Sequence, residues 1–489
     1  MEKQGEQILG RGMEYRYIQL ANEIEEKINA GAYAVGEKLP SLRRVQRERA
    51  VSLSTVYQAY IELENRGVIE AREKSGYYVR PPVRDLLPLP SSGRVRPRPL
   101  KVTVNTLAGL LQENIDKPDL VPFGTAIPDP ELLPVRQLSR IAKETSASYL
   151  LTKGGTGYGS PLGQAELLRQ IARRTAALYD GLLFGEMIIT AGCLHGVELC
   201  LRAVACPGDI ILVESPTFLC YLQLIEDLNM RVIEIPADPR RGVDPVLLRD
   251  TLEEYNVRAA LFNSNYPNPL GYEIPADRKE EMVRIFQGHN IPLIEDDIYG
   301  DLHFGPSRPS TFKQFDERGL VLYCSSFSKT LIPDLRVGWT IPGRFTEKVK
   351  RLKFNSMLAT SKLNQLIIAR FLESGAYERH LRRMRHALRN QVGNMTRAIA
   401  KYFPEHTKVT SPAGGLCLWI QLGDGVDSLE LFARAAAHNI SLLPGAVCSE
   451  TSQYRNCIRL NCGIPWNADV EKSIATLGQL VQTAATPSW

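Results

Sequence analysis

The chain has 489 residues, 44% hydrophobic and 23% charged, which is enough for two or three folded units and too long for one ordinary domain. No apolar run reaches membrane-spanning length and the stretch from Met1 to Gly12 lacks a signal peptide's hydrophobic region, so a cytoplasmic protein with no membrane partner is expected. The net charge of +5 lies wholly at the front: residues 1–101 hold 18 Lys and Arg against 13 Asp and Glu, and the remainder holds 41 of each. An anionic partner for that segment, or a solvated basic connector, would each account for the excess. Nine cysteines are scattered singly with no Cys-x-x-Cys, which reads as reduced thiols, and no metal-ligand cluster appears.

Residues 13–80 read as a small helical unit. Tyr17, Leu20, Ala21, Ile24 and Ile28 recur at helical spacing, and Gly31 follows as a stop signal. Ser41 is placed to cap a second, short helix carrying Arg43, Arg44, Arg47 and Arg49. Ser52 is placed to cap a third, which buries Val56, Tyr60 and Leu63 and exposes Ser54, Thr55, Tyr57 and Gln58. After Gly67 come two short strands, Val68 to Arg72 and Gly76 to Val79, joined by Glu73, Lys74 and Ser75. Helix, turn, helix, then hairpin is the winged helix-turn-helix pattern. The landmarks Gly36, Leu39-Pro40-Ser41, Arg43, Ser52, Thr55-Val56, Ala59, Leu63, Gly67, Gly76 and Val79 resemble a GntR-type DNA-binding domain over nearly its whole length. That resemblance implies double-stranded operator DNA as partner, with the third helix in the major groove and the wing, including Lys74 and Gly76, at the minor groove. Ser41, Arg43, Arg44, Ser52, Ser54, Thr55, Tyr57 and Gln58 would then face DNA. The family usually carries arginine after the capping serine, and this chain has Leu53.

Residues 81–118 are rich in proline and arginine and read as an extended connector, either solvated or tracking phosphates. From 119 to 485 strand-like runs (Ile210–Val213, Val232–Ile235, Ala259–Phe262, Pro292–Ile294, Leu320–Cys324) alternate with helical stretches. This is an α/β pattern with a mainly parallel sheet, and ligands of such sheets bind beyond the carboxyl ends of the strands.

Chemistry-bearing residues lie at those ends. Ser325-Ser326-Phe327-Ser328-Lys329-Thr330 follows a strand, with Arg336 seven positions beyond the lysine. A lysine amine there can form an imine with pyridoxal 5'-phosphate (PLP), and Ser326 and Arg336 can take its phosphate. Gly192-Cys193-Leu194 opens a helix whose free N–H groups suit phosphate. Asp296 or Asp297, at another strand end, can hold a pyridine nitrogen protonated. Arg459 lies within a strand, where a cation needs an anionic partner.

Together these segments resemble fold-type-I PLP-dependent aminotransferases. The resemblance implies further roles: Phe218 stacking on the cofactor, Asn268 (in Asn-Pro-Leu-Gly) and Tyr299 on its phenolic oxygen, and Arg459 on a substrate α-carboxylate. The three-residue offset to Tyr299 selects Asp296 over Asp297. Cys193 and Leu194 stand where the family often has serine or threonine and glutamine, which leaves the backbone contacts and puts the side-chain ones in question. Tyr158 matches a tyrosine that reaches the neighbouring subunit's cofactor, which implies a homodimer. His195 reads as structural. A smaller C-terminal subdomain is expected around Pro412 to Leu416 and Leu443 to Gly445. The whole order of motifs resembles the MocR/GabR-type regulators, whose members bind DNA as head-to-tail dimers and sense an amine, an amino acid or PLP itself. A working aminotransferase acting on an α-amino acid is the second reading, and a repressor with a vestigial domain the third.

Overall fold

A computed structural model of the chain describes residues 16–72, 75–80, 86–93, 95–104, 109, 120–150, 157–176 and 184–484. It divides into two units, with the boundary between Leu86 and Leu87.

The first unit packs three helices and a hairpin: α1 (Arg16–Asn29), α2 (Leu42–Arg49), α3 (Leu53–Asn65), β1 (Ile69–Arg72) and β2 (Gly76–Val79). Ser41 caps α2 by accepting the Arg44 N–H, and Ser52 caps α3 by accepting the Thr55 N–H. Ala50 turns the chain between them in the left-handed region (φ 50°). Leu20, Ala21, Ile24, Val45, Val56, Tyr60 and Leu63 form the core, and the Tyr60 hydroxyl donates to Pro40 O at 2.7 Å, tying α3 to the start of α2. β1 and β2 pair antiparallel, Ile69 opposite Val79. Lys74 lies outside the described residues.

The second unit holds the large sheet. Its strands are β3 (Leu100–Lys101), β4 (Ile188–Thr190), β5 (Ile210–Ser215), β6 (Arg231–Asp238), β7 (Gly242–Val243), β8 (Val257–Asn263), β9 (Leu293–Asp296), β10 (Val321–Ser326) and β11 (Gly338–Ile341). The spatial order is β3-β6-β5-β8-β9-β10-β11-β4, with β7 beside β6. β6, β5, β8, β9 and β10 run parallel, and β11 is antiparallel to both its neighbours. β10 is buried along its whole length, as expected of a strand covered by helices on both faces. A second, antiparallel sheet comprises β12 (Lys408–Val409), β13 (Cys417–Gln421), β14 (Leu443–Pro444) and β15 (Cys457–Asn461), in the order β12-β13-β15-β14. It has its own apolar core with the helices Ala376–Tyr402 and Ala468–Ala484.

The proline- and arginine-rich segment differs from the free connector expected of it. From Pro88 onward the described residues dock on the large unit. Pro88 O accepts the Val409 N–H, Ser91 bonds Gln421 through its N–H and hydroxyl, and Arg96 pairs with Glu254. Leu100–Lys101 then adds an antiparallel edge strand to β6. The physical reason is that a stiff, extended chain presents unpaired backbone groups that an open sheet edge can satisfy. All nine cysteines are free thiols. Among the described residues no helix is long and apolar enough to cross a membrane.

Candidate cofactor and DNA-binding sites

The carboxyl ends of β5, β8, β9 and β10 deliver the predicted residues to one region of the large unit. A cavity of about 500 Å³ is lined by Phe218, Asn268, Tyr299, Lys329 and Arg459, among others. Phe218 follows β5 and precedes the helix Leu219–Asp227; Asn268 follows β8; Tyr299 follows β9; Lys329 follows β10. Arg459 comes from the other side, from the middle of β15. The cavity therefore has walls from both sheets.

Lys329 is half-buried, and its Nζ donates to Ala126 O at 2.6 Å. Burial pushes its amine down to about 8, with the Arg459 charge adding to the effect. Arg459 is 2% exposed. Its guanidinium donates to Asn268 Oδ1 at 3.2 Å and to the Gly124 carbonyl, both neutral acceptors. Its Nε and the Asn268 Nδ2 are buried and lack hydrogen-bond partners within the protein. Buried donors without acceptors are costly, and the cost is removed by a ligand that brings oxygens. This donor set fits a PLP phenolic oxygen at Asn268 and Tyr299 and a carboxylate at Arg459.

Asp296 ends β9 and is 5% exposed. Its carboxylate accepts from the Tyr221 hydroxyl at 2.6 Å and from the Ile298 N–H at 2.9 Å. Burial pushes its pKa up, and hydrogen bonds from Tyr221 and the Cys193 thiol pull against that. Asp297 is engaged elsewhere: it accepts from Asn265 Nδ2 and the Tyr323 hydroxyl, both at 2.8 Å, and pairs with Arg308. Of the two, Asp296 is therefore the one joined through Tyr221 to Phe218 at the cavity wall. Sequence reasoning missed Tyr221. Its only signal was its place one helical turn after Phe218, whose ring it meets edge-on with centroids 5.3 Å apart.

A second group converges at the start of the helix Cys193–Val204. Gly192 caps it with φ 93° and no side-chain cap bond. Its first N–H groups have no intrahelical acceptor. Arg336, itself left-handed (φ 50°), donates to Ala191 O at 2.9 Å. A Cβ on Gly192 would lie 2.6 Å from Arg336 Nη2. Ser326 pairs with Gly338 across β10 and β11, and Gly338 packs on the Gly192–Cys193 backbone. Helix N-terminus and guanidinium so converge in a cradle with the chemistry of a phosphate site, while Ser326 Oγ accepts the Ser328 N–H at 3.2 Å.

The side chains of Cys193 and Leu194, whose contacts the sequence left in question, point away from the cradle. The Cys193 thiol is buried and bonds Asp296, so the side chain supports the carboxylate and only its backbone faces the cradle. Leu194 is 38% exposed, because the first turn of the helix points it outward. His195 accepts the Ala191 N–H through Nδ1 at 3.1 Å, a structural bond. Tyr158 is 87% exposed and lies outside the cavity of its own chain.

On the first unit, α3 presents Ser54, Tyr57 and Gln58 to solvent, with Tyr57 50% exposed and Leu53 43%. Thr55 is half-buried, and its hydroxyl, like that of Ser54, lies 2.8 Å from Ser52 Oγ. Arg43 is exposed on α2. Arg44 pairs with Glu48 at 2.7 Å, but both are more than half exposed, so the pair is weak and the arginine can turn to a phosphate. Gly76 opens β2 with φ 114°. Removing Arg43 and Arg44 together should flatten the salt dependence of DNA binding by about two slope units, one for each phosphate no longer neutralised. An unchanged slope in binding isotherms across salt concentrations would remove both residues from the interface.

Fold and site together define a two-part protein: a GntR-type winged helix-turn-helix joined to a fold-type-I aminotransferase domain. Residues 129–474 match the family "Aminotransferase class I and II", and residues 16–79 match "Bacterial regulatory proteins, gntR family". The chain is 36% identical over 468 residues to the uncharacterized HTH-type transcriptional regulator YdcR of Escherichia coli K12, covering 96% of this chain and 99% of that protein. It is 36% identical over 479 residues to YjiR of the same organism, covering 96% and 99%. The multiple substrate aminotransferase of Thermococcus profundus superposes with a TM-score of 0.71 at 26% identity, covering 77% of this chain and 94% of that one. The chain belongs to the aminotransferase class I and II family and, through its GntR head, to the MocR-type transcriptional regulators.

Proposed function

We propose that the protein is a DNA-binding transcriptional regulator that carries PLP on Lys329 and responds to an amino acid or amine. The carrying observation is that one cavity is lined by two cations, Lys329 and Arg459, whose hydrogen-bond acceptors among the described residues are neutral oxygens. PLP supplies, when bound, an aldehyde that condenses with amines and a ring that withdraws electrons. Lys329 would hold it through the ε-amine. Asp296, braced by Tyr221 and Cys193, would keep the proton on its ring nitrogen. Asn268 and Tyr299 would meet its phenolic oxygen and Phe218 its ring face. Gly192, the Cys193 and Leu194 backbone, Ser326 and Arg336 would hold its phosphate.

Arg459 would anchor an effector's carboxylate. A ligand held by Arg459 on the small sheet and by the Lys329 region on the large one spans two walls. It can therefore bind one arrangement of those walls better than another, which is what a switch requires. The head would bind operator DNA through α2, α3 and the wing, from a head-to-tail homodimer in the cytoplasm. Support for a second copy is the exposed Tyr158 together with Leu194, Phe354 and Leu358, apolar surface on the large unit. The presence together of Lys329, Asp296, Asn268, Tyr299, Arg336 and Arg459 also supports a second reading, slow transamination of an α-amino acid, which the switch does not need. The test is reporter expression in cells carrying Arg459→Ala beside wild type. The variant should keep PLP and DNA binding and lose its response to the amino acid, and a full response would move signal entry elsewhere.

A further inference from the structure

We infer that the effector is a neutral α-amino acid with an apolar side chain; this rests on the amino-acid-sensing reading above. Three charged side chains line the cavity: Lys329, Arg459 and Asp129. The first is committed to the cofactor and the second to the α-carboxylate. Asp129 is half-buried and already accepts the Glu131 N–H at 2.8 Å. Among the described lining residues no cation remains for a second carboxylate.

The lining hydroxyls are committed too. Ser441 Oγ donates to Val121 O and accepts the Gly124 N–H, both at 3.0 Å, and Thr125 donates to Pro122 O at 3.4 Å. Apart from Gln223, what is left facing the ligand is mainly apolar: Ile127, Phe432, Leu442, Leu443 and Ile464. Ile127 is 43% exposed and offers surface for a ligand to cover. A side-chain carboxylate entering here would lose hydration and meet no opposite charge. An apolar side chain gains instead, roughly fourfold in affinity per buried methylene. Leu443 sits opposite Arg459 across β14 and β15, so the carboxylate anchor and the apolar wall are neighbours on one sheet.

The test titrates the full-length, PLP-loaded protein with L-leucine, L-methionine and L-phenylalanine, and separately with L-aspartate, L-glutamate and L-lysine. Cofactor absorbance and calorimetric heat at two temperatures are followed. The apolar set should bind at least ~100-fold tighter than the charged set, with the negative heat-capacity change of apolar burial. A charged amino acid binding as tightly as the apolar set would overturn the inference while leaving the sensing site in place. Silence from both sets would overturn the amino-acid reading of the site as well. Ile127→Arg, at a partly exposed position, supplies the missing cation and should raise glutamate affinity at least ~10-fold. An unchanged glutamate affinity would contradict the placement of the side-chain subsite.

Discussion

Lys329→Ala should abolish covalent capture of PLP. Three lysines of the large unit, Lys279, Lys329 and Lys353, have amines pushed down by burial, so a lowered pKa alone does not choose among them. Position does. Lys279 donates to Asn265 Oδ1 and Ser310 O, and Lys353 to the Pro161 carbonyl, whereas Lys329 alone of the three lines the cavity with Asn268, Tyr299 and Arg459. The free amine is the nucleophile. With Lys329 at about 8, capture should speed up as pH rises to about 8 and level off above it, whereas an ordinary lysine at 10.5 would keep gaining well beyond. Borohydride reduction followed by peptide mass measurement reads the outcome: one adduct on Lys329 in the wild type and none in the variant. Trapping of the variant at the same stoichiometry would contradict the assignment.

Arg66→Ala should unfold the DNA-binding head. Arg66 ends the turn after α3 and is 7% exposed at its side chain. It donates to Glu25 Oε2 and Asn22 Oδ1 on α1, each at 2.7 Å, and to Glu62 Oε1 on α3 at 2.8 Å. Burial opposes its charge, and the two carboxylates outweigh that and raise its pKa. Removing the cation leaves Glu25 and Glu62 facing each other in a nearly dry site. Breaking such a cluster from one side costs about 3–5 kcal/mol. A unit of this size has a total stability of the same order, at roughly 0.05–0.15 kcal/mol per residue. Amide hydrogen exchange on the intact chain should show protection lost across residues 16–80 and kept across 184–484. Operator binding should vanish while PLP capture on Lys329 persists. Retained protection in α1 and α3 would show that the cluster is dispensable.

The parts legible in the sequence were those set by local rules. Ser41 and Ser52 are found by their position before helical runs, and both are caps. Lys329 and Asp296 are found because strand ends can be located from apolar runs. Arg459 stands out as a cation inside a strand. Interactions between distant segments left no such trace. Tyr221 and Cys193 reach Asp296 from two different helices, and nothing local marks either as its partner. The carbonyls of Ala126 and Gly124 meet Lys329 and Arg459 from more than two hundred residues away. A backbone oxygen carries no residue identity, so sequence could not nominate them. The docking of Pro88 to Lys101 was hidden for a related reason. Proline-rich composition fixes extension, and the edge that receives the extended chain is created only when β6 is placed.

The proposed switch is a coupling between the cavity around Lys329 and the proposed DNA-binding surface of α3. It is measured most directly by titrating L-leucine or L-methionine into the PLP-loaded protein bound to labelled operator DNA selected from a random pool. Cofactor absorbance and DNA anisotropy are followed in the same sample. Linkage requires that a ligand which shifts operator affinity be itself bound more or less tightly when DNA is present, by the same factor. The predicted result is that absorbance and anisotropy change over one concentration range, with operator affinity shifted about 5- to 150-fold, the usual span of such couplings. An absorbance change that leaves operator affinity untouched would contradict the account.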